Sequence, residues 1–132
     1  MRLLLDTQIL LWVSIVPTAL STEVTALIDD EENELVFSAA SLWEVSVKYA
    51  LDRPDFDVQP WALRTGLLAN RYKELAITGD HAIAVARLPA LPKDPFDRIL
   101  VAQAVVEDLL LVTADAVLAR YPGPVRRVRR AG

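Results

Sequence analysis

The chain has no cysteine and a single histidine, His81, among its 132 residues. Without thiols it forms neither a disulfide framework nor a thiolate metal site, and a cysteine nucleophile is excluded. One imidazole also excludes a zinc centre built on several histidines. The chain has only 4 glycines, and none of them belongs to a Gly-rich phosphate-binding loop, so nucleotide hydrolysis of the P-loop type is not indicated.

Long apolar runs and an excess of positive charge are also lacking. No stretch approaches the roughly 18 apolar residues of a membrane-spanning helix, and Asp6 interrupts the initial run at 3–5. The net charge is −4, from 14 basic and 18 acidic residues, so the overall field does not attract nucleic acid. A nucleic-acid partner would need a local basic patch or a bound cation. We therefore expect one soluble domain over residues 1–132, in the cytoplasm and not associated with a membrane.

Short apolar runs alternate with helical patterns along the whole chain. The runs that predict buried strands lie at 2–5, 34–38, 74–78 and 109–113, with a fifth, edge strand at 125–128. The helical patterns lie at 9–13, 21–30, 41–51, 61–70, 80–88, 94–108 and 115–121. Continuous rather than alternating apolar strands are typical of a parallel sheet covered on both faces. The predicted fold class is therefore α/β.

Four acidic residues stand where these strands and helices meet. Asp6 follows the first strand, and Asp115 follows the fourth strand by one residue. Glu44 lies near the start of the helix after the second strand, and Asp97 lies in the first turn of the long helix. Ligands of open α/β sheets bind beyond the carboxyl ends of the strands. Carboxylates gathered there repel one another unless a cation binds, and all-oxygen ligation selects Mg²⁺ or Mn²⁺. Such sites hydrolyse phosphodiesters.

The same acids also have interpretations as helix caps. Residues 41–44 match the S-x-x-E capping box, and Asp94 before a proline is a typical N-cap that makes Asp97 a favourable acid on the helix dipole. Asp115 also suits an N-cap. Taken singly, these patterns favour capping, whereas Asp6 would be costly if it were buried without partners. The residues alone leave the capping and metal-site interpretations open.

Four segments carry a resemblance to a known family. They are LLLDTQILLW at 3–12, SAASLWEVSVK at 38–48, KDPFDRILVAQA at 93–104 and LLVTAD at 110–115. In this order they resemble the PIN-domain nucleases, in particular the VapC toxins of type II toxin–antitoxin pairs. The resemblance implies a three-layer PIN-like fold, with a central parallel sheet of about five strands covered by helices.

The resemblance also implies a function. It implies an endoribonuclease that depends on Mg²⁺ or Mn²⁺, acts as a toxin and hydrolyses RNA. It makes Asp6, Glu44, Asp97 and Asp115 the catalytic, metal-binding acids. It further implies a VapB-like antitoxin that inhibits the toxin and joins it in repressing their operon, and a homodimer.

Further residues support this site by resemblance. The hydroxyls of Thr7, Ser38 and Thr113 match groups that flank the acids in relatives. Asp94 is interpreted mainly as a helix cap, with an outer-shell role beside it. Lys93 stands where relatives often carry a histidine, so the resemblance does not extend to substrate preference.

Two basic features have competing interpretations. Arg98 either contacts phosphate and balances the acids, or forms a salt bridge with Asp94. The arginine-rich tail at 126–130 either contacts RNA phosphates or is a solvated C-terminus, which is the favoured interpretation. His81 lies away from the acids along the chain and is interpreted as structural.

Three other classes of protein remain as alternatives. A receiver-like signalling domain would need a second acid beside Asp6 and a lysine after a late strand. A phosphatase with an Asp nucleophile would need D-x-D, where this chain has Asp6, Thr7 and Gln8. An inactive family member that only binds its partner would share all four acids.

Overall fold

Five parallel strands form the central sheet in a computed structural model that describes residues 1–90 and 94–132. Their bounds are β1 Arg2–Leu5, β2 Glu34–Ser38, β3 Lys73–Leu75, β4 Leu110–Thr113 and β5 Val125–Arg127. The order across the sheet is β3-β2-β1-β4-β5, and every neighbouring pair is parallel. The α/β class and the sheet of about five parallel strands are confirmed. Lys93 lies outside the described residues.

Helices cover both faces of this sheet. They are α1 Thr7–Ile15, α2 Thr22–Asp29, α3 Ala39–Ala50, α4 Pro60–Ala69, α5 Gly79–Ala84 and α6 Pro95–Glu107. Leu3 and Leu5 of β1 face a core shared with α1, α2 and α4, whereas Leu4 faces a second core shared with α6. Successive strand residues point to opposite faces, so a continuous run of leucines fills both cores. This arrangement is the predicted three-layer fold.

The chain reverses its direction across the sheet at the central strand. From β1 it moves outward to β2 and β3, then returns to place β4 on the other side of β1. The junction of β1 and β4 is therefore a topological switch point, where the connections leave in opposite directions and open a crevice beyond the carboxyl ends of the strands.

The fifth helix differs from its prediction. A helix was expected over 80–88, but α5 ends at Ala84 and a 3₁₀ turn at Val85–Arg87 follows it. The Thr78 hydroxyl accepts a hydrogen bond from the backbone N–H of His81, and the His81 Nδ1 accepts one from the N–H of Thr78. This reciprocal cap makes Thr78 the N-cap, so the helix begins at Gly79, one residue before Asp80.

The last predicted helix, at 115–121, is wrong. Only a 3₁₀ turn at Leu118–Arg120 forms there. The Thr113 hydroxyl accepts a hydrogen bond from the N–H of Asp115, and the Asp115 carboxylate accepts one from the N–H of Val117. The Asp115 carboxylate thus caps a single turn, which is closed by a hydrogen bond of 3.1 Å from the Ala119 N–H to the Asp115 carbonyl.

A buried polar network ties α5 and β2 to α6. His81 is fully buried, with its Nε2 2.7 Å from a carboxylate oxygen of Glu107. The Ser38 hydroxyl donates to the Oε1 of Gln103 at 2.6 Å, and the Gln103 amide donates to the Ala76 carbonyl. These contacts agree with the structural interpretation of His81.

No helix within 1–90 or 94–132 is both long and apolar enough to cross a bilayer.

Candidate active site

A cavity of about 610 Å³ opens at the switch point between β1 and β4. Asp6 enters it directly after β1, and Asp115 enters it after β4. Glu44 reaches it from α3, and Asp97 reaches it from the first turn of α6. The structure therefore brings four acids into one cavity, although the first and the last of them lie more than one hundred residues apart in the sequence.

Asp6 is held rigidly at the base of the cavity. Its Oδ1 accepts a hydrogen bond from the N–H of Ile9 at 2.9 Å and so caps α1, and its Oδ2 accepts one from the Thr113 hydroxyl. Its own N–H donates to the Val112 carbonyl at 3.1 Å, which joins β1 to β4. The side chain is 5% exposed. One carboxylate thus acts as a helix cap and as a wall of the cavity.

Glu44 does not cap its helix, so the capping-box interpretation of residues 41–44 is wrong. The helix begins two residues earlier than predicted because Ser38 is its N-cap. The Glu44 Oε1 accepts a hydrogen bond from the Thr7 hydroxyl at 2.7 Å, and Oε2 accepts one from the Lys48 ammonium at 2.9 Å. Thr7 also lies 2.9 Å from the Ser41 hydroxyl. These contacts fix the Glu44 carboxylate at the cavity that Asp6 also lines.

Asp94 and Asp97 divide the two roles predicted for the start of α6. Asp94 is its N-cap, with Oδ1 accepting a hydrogen bond from the N–H of Phe96 at 2.8 Å, as predicted. Among the described residues, no hydrogen bond engages the Asp97 carboxylate, although it lies in the first turn. Both acids line the cavity. Within the described residues, the Asp97 oxygens are therefore open to the cavity.

Asp115 and Asp6 are linked through one hydroxyl. Thr113 ends β4, donates to the Asp6 carboxylate and accepts a hydrogen bond from the N–H of Asp115 at 3.0 Å. The Asp115 Oδ1 also accepts a bond from the N–H of Val117 at 2.8 Å, and its side chain is exposed. Thr113 thus fixes two acids of the cavity relative to each other.

Two of these carboxyl groups, those of Asp6 and Asp97, have raised pKa values. Burial raises the pKa of Asp6 to about 6, hydrogen bonds from Thr113 and Ile9 oppose this rise, and the charges of Asp115 and Glu44 add to it. Burial is also the main cause that raises the pKa of Asp97 to about 7. Nearby carboxylates raise the pKa of Asp97 further. In decreasing order of effect they are Asp94, Glu44, Asp115 and Asp6.

These shifts predict how stability depends on pH when divalent cations are removed. A carboxyl whose pKa is higher in the folded chain stabilises the fold below its unfolded pKa of about 3.9, and this stability is lost as the pH rises through the folded pKa. The relevant folded values are about 6 and about 7. We expect thermal unfolding in EDTA to occur at a higher temperature at pH 5 than at pH 8. The double variant Asp6→Asn/Asp97→Asn should show a flatter profile, and an unchanged profile would contradict the shifts.

Two predicted supporting residues lie elsewhere. Ser38 is fully buried and serves as the cap of α3 and as the partner of Gln103, and it does not line the cavity. The Arg98 guanidinium donates to the carbonyls of Pro89 and Val85 and to the Tyr121 hydroxyl. Among the described residues, neither a salt bridge from Arg98 to Asp94 nor a contact between Arg98 and the cavity acids forms. Arg98 fastens the start of α6 to its neighbours.

Several residues that line the cavity were not predicted for the site. Lys48 is one, and its position four residues after Glu44 is a recognisable helical ion-pair signal. Trp12 on α1 is another. Three tail arginines also line the cavity, whereas the sequence favoured a solvated terminus. They are Arg127, Arg129 and Arg130.

The fold and the acid cavity define the class of this protein. The family model of the PIN domain matches residues 3–124, and the chain belongs to this family. No curated protein matches the chain.

Solved structures of toxin–antitoxin complexes share the fold. One match is a chain of the VapBC2 complex from Rickettsia felis, which was solved bound to a DNA fragment from the VapBC2 promoter. It is 17% identical in sequence and matches with a TM-score of 0.73, and the match covers 96% of this chain and 98% of that chain. DNA-bound VapBC from Salmonella typhimurium gives 19% identity and a TM-score of 0.67, again over 96% and 98%. A chain of a toxin–antitoxin complex from Klebsiella pneumoniae is 20% identical in sequence and matches with a TM-score of 0.60. The match covers 95% of this chain and 98% of that chain.

Proposed function

We propose that this chain is a VapC-type toxin, a divalent-metal-dependent endoribonuclease that hydrolyses RNA phosphodiesters. The observation that carries the proposal is the convergence of Asp6, Glu44, Asp97 and Asp115 on one cavity at the switch point of a PIN-domain fold. The proposed catalytic and metal-binding residues are these four acids. Their setting supports a nuclease better than a receiver domain or an Asp-nucleophile phosphatase, because PIN-family membership separates the chain from both.

The donor set fits a hard divalent cation. Every acidic side chain that lines the cavity offers carboxylate oxygens, which Mg²⁺ and Mn²⁺ prefer, and neither cysteine nor histidine lines it. Within 1–90 and 94–132, no three acidic, histidine or cysteine side chains lie close enough together to enclose one ion as they stand. Ligation by three or more protein groups would therefore require side-chain rotation. Asp6 and Asp97 are the proposed direct ligands, with Glu44 and Asp115 binding directly or through water.

The chain's own groups supply orientation and proton transfer. A bound divalent cation would supply Lewis-acid stabilisation of the phosphate oxygens and a lowered water pKa. Thr113 and the N–H of Ile9 fix the Asp6 carboxylate, and Thr7 fixes that of Glu44. One carboxylate of the set orients the attacking water or takes its proton.

The proposed partners follow from the family and from the matching structures. Structures of VapBC complexes match nearly the whole chain, which supports a VapB-like antitoxin as the cognate inhibitor. We propose a homodimer in the cytoplasm, with no membrane association and with RNA as its substrate. Co-expression of the neighbouring antitoxin gene should restore growth if the free protein arrests it. An RNase activity that the neighbouring gene product leaves unchanged would contradict this pairing.

The proposed activity is tested with the purified protein and a panel of structured RNAs. Cleavage is measured in Mg²⁺, in Mn²⁺ and in EDTA. The proposal expects discrete cleavage products with either ion and none with EDTA. Activity that survives EDTA would contradict the metal dependence, and no cleavage of any RNA in Mn²⁺ would favour an inactive PIN module that only binds its partner.

A further inference from the structure

The C-terminal segment does not leave the fold as a free tail. The Val128 N–H donates to the Thr113 carbonyl at 2.7 Å, which extends the ladder beyond β5. Arg130 then forms an antiparallel bridge with Leu20, and the Ala131 N–H donates to the Ala19 carbonyl at 2.8 Å. The backbone is thus fastened at both ends of the segment 128–131, where it runs along the cavity. A solvated terminus would make none of these bonds.

Residues 127–130 all line the cavity. Val128 is 1% exposed and also packs in the core beside α1, whereas Arg127 and Arg129 on either side of it are exposed. In an extended chain, residues two apart lie on one side, so Arg127 and Arg129 share a side. The strand register also places the Cα of Arg127 opposite that of Thr113, the residue whose hydroxyl binds Asp6. The arginines therefore stand beside the acids.

The guanidinium groups of these arginines remain available for an anion. Within 1–90 and 94–132, no salt bridge engages Arg127, Arg129 or Arg130, although acids line the same cavity. The Arg130 guanidinium lies over the Trp12 ring, with its Cζ 5.9 Å from the ring centroid, and Trp12 lines the cavity as well. A cation–π contact orients the group and leaves its N–H donors unused. Arg126 differs, because it pairs with Glu23 at 2.9 Å and does not line the cavity.

This charge arrangement matches the backbone of an RNA strand. The chain is acidic overall, and the cavity acids would repel the phosphates on either side of the one being cleaved. Three arginines on one side of the acids offset that repulsion where the strand continues. The planar guanidinium fork binds phosphate oxygens in pairs, and three such forks along one segment suit the repeated phosphates of a strand.

We propose that Arg127, Arg129 and Arg130 form a phosphate-binding arm that holds the RNA strand next to the scissile phosphate. The arm rests on the proposed nuclease function and deepens it, because it assigns the binding of the RNA backbone to particular residues. It reads no base, since phosphate contacts position a nucleic acid without reporting its sequence. The arm sets affinity for the strand, and the acids set the chemistry.

The arm is tested first by binding, with cleavage suppressed by EDTA. The affinity of a fluorescein-labelled single-stranded oligoribonucleotide is measured by anisotropy at several salt concentrations. The variant Arg127→Ala/Arg129→Ala/Arg130→Ala should bind about tenfold more weakly or worse at low salt, and its salt slope should fall by about 2 if each arginine neutralises one phosphate. The triple Lys variant should recover most of the slope because it keeps the charge. Arg126→Ala is the matched control and should bind as the wild type does.

Single-turnover cleavage in Mn²⁺ gives a second readout. With the protein in excess over the RNA, the triple Ala variant should need an about tenfold higher protein concentration for its half-maximal rate, with a much smaller change in the maximal rate. An unchanged affinity and salt slope, no binding by the wild type at low salt, or an equal loss in Arg126→Ala would each overturn the arm. A wild type that binds RNA through these arginines but cleaves no RNA in Mn²⁺ would instead overturn the nuclease function.

Discussion

Asp97→Asn and Asp6→Asn are each expected to reduce RNA cleavage by orders of magnitude while leaving the chain folded. Asn caps a helix nearly as well as Asp, so Asn at position 6 still accepts from the N–H of Ile9. Asn in the first turn of α6 loses mainly the favourable dipole interaction, about 0.3–1 kcal/mol. A neutral amide is a much poorer ligand for a hard cation and accepts no proton from water. The loss is therefore chemical rather than structural.

Asp94→Asn is the matched control for this prediction. Asp94 lies three residues before Asp97, lines the same cavity and caps α6. As a cap it tolerates the amide, so its cleavage rate should fall far less. The measurements are single-turnover cleavage of one RNA and melting curves for all three variants. Near-wild-type cleavage by Asp97→Asn together with a loss in Asp94→Asn would show that the wrong acid of the DPFDR segment was chosen. Normal cleavage by both Asp6→Asn and Asp97→Asn would overturn the mechanism.

Mn²⁺ is expected to stabilise the fold by about 2.7 kcal/mol at a concentration one hundred times its dissociation constant. For a chain of this size, that corresponds to a rise in melting temperature of roughly 10 °C. The physical reason is that burial, and with it the repulsion between neighbouring carboxylates, raises the pKa values of Asp6 and Asp97 and so disfavours their charged forms. A divalent cation relieves this repulsion only in the folded chain, where the carboxylates are gathered.

Protons and Mn²⁺ compete for the same carboxylates, so the gain should be larger at pH 8 than at pH 5.5. In EDTA at pH 8, Asp6→Asn should melt above the wild type, because the amide removes a buried charge, and it should gain little from Mn²⁺. Asp94→Asn should keep most of the gain. A melting temperature that does not respond to millimolar Mn²⁺ at pH 8 would count heavily against the site.

The sheet was predictable because its signal is local and strong. Runs such as Leu3–Leu5 fill both faces of a buried strand, and few other structures accommodate them. The exact first and last residues of α5 and of the last turn could not be predicted, because they depend on which side chain accepts a hydrogen bond from a given backbone N–H. Thr78 and His81 form the cap of α5 in place of Asp80, and only a 3₁₀ turn follows Asp115.

The positions of Asp6 and Asp115 at strand ends were predictable from the sequence, whereas the hydrogen-bond partners of the cavity acids were not. Asp6 and Asp115 follow β1 and β4, and strand order then brings them together. Glu44 matches a capping pattern in sequence, and only the tertiary contact with Thr7 shows that its carboxylate turns to the cavity. The course of the tail depends on a bridge to Leu20, more than one hundred residues away, and no local pattern encodes such a contact.

The link from Thr113 to Asp6 has a consequence for how the protein is made. Asp6 is synthesised more than one hundred residues before β4, and its hydrogen bonds to β4 form only after residues 112 and 113 have been added. Asp115 and the arginine segment follow later still. A chain released by a stalled ribosome between Asp97 and β4 therefore carries three of the acids without the strand that gathers them. If the protein is the proposed toxin, we expect such an unfinished copy to be inactive towards the RNA around it.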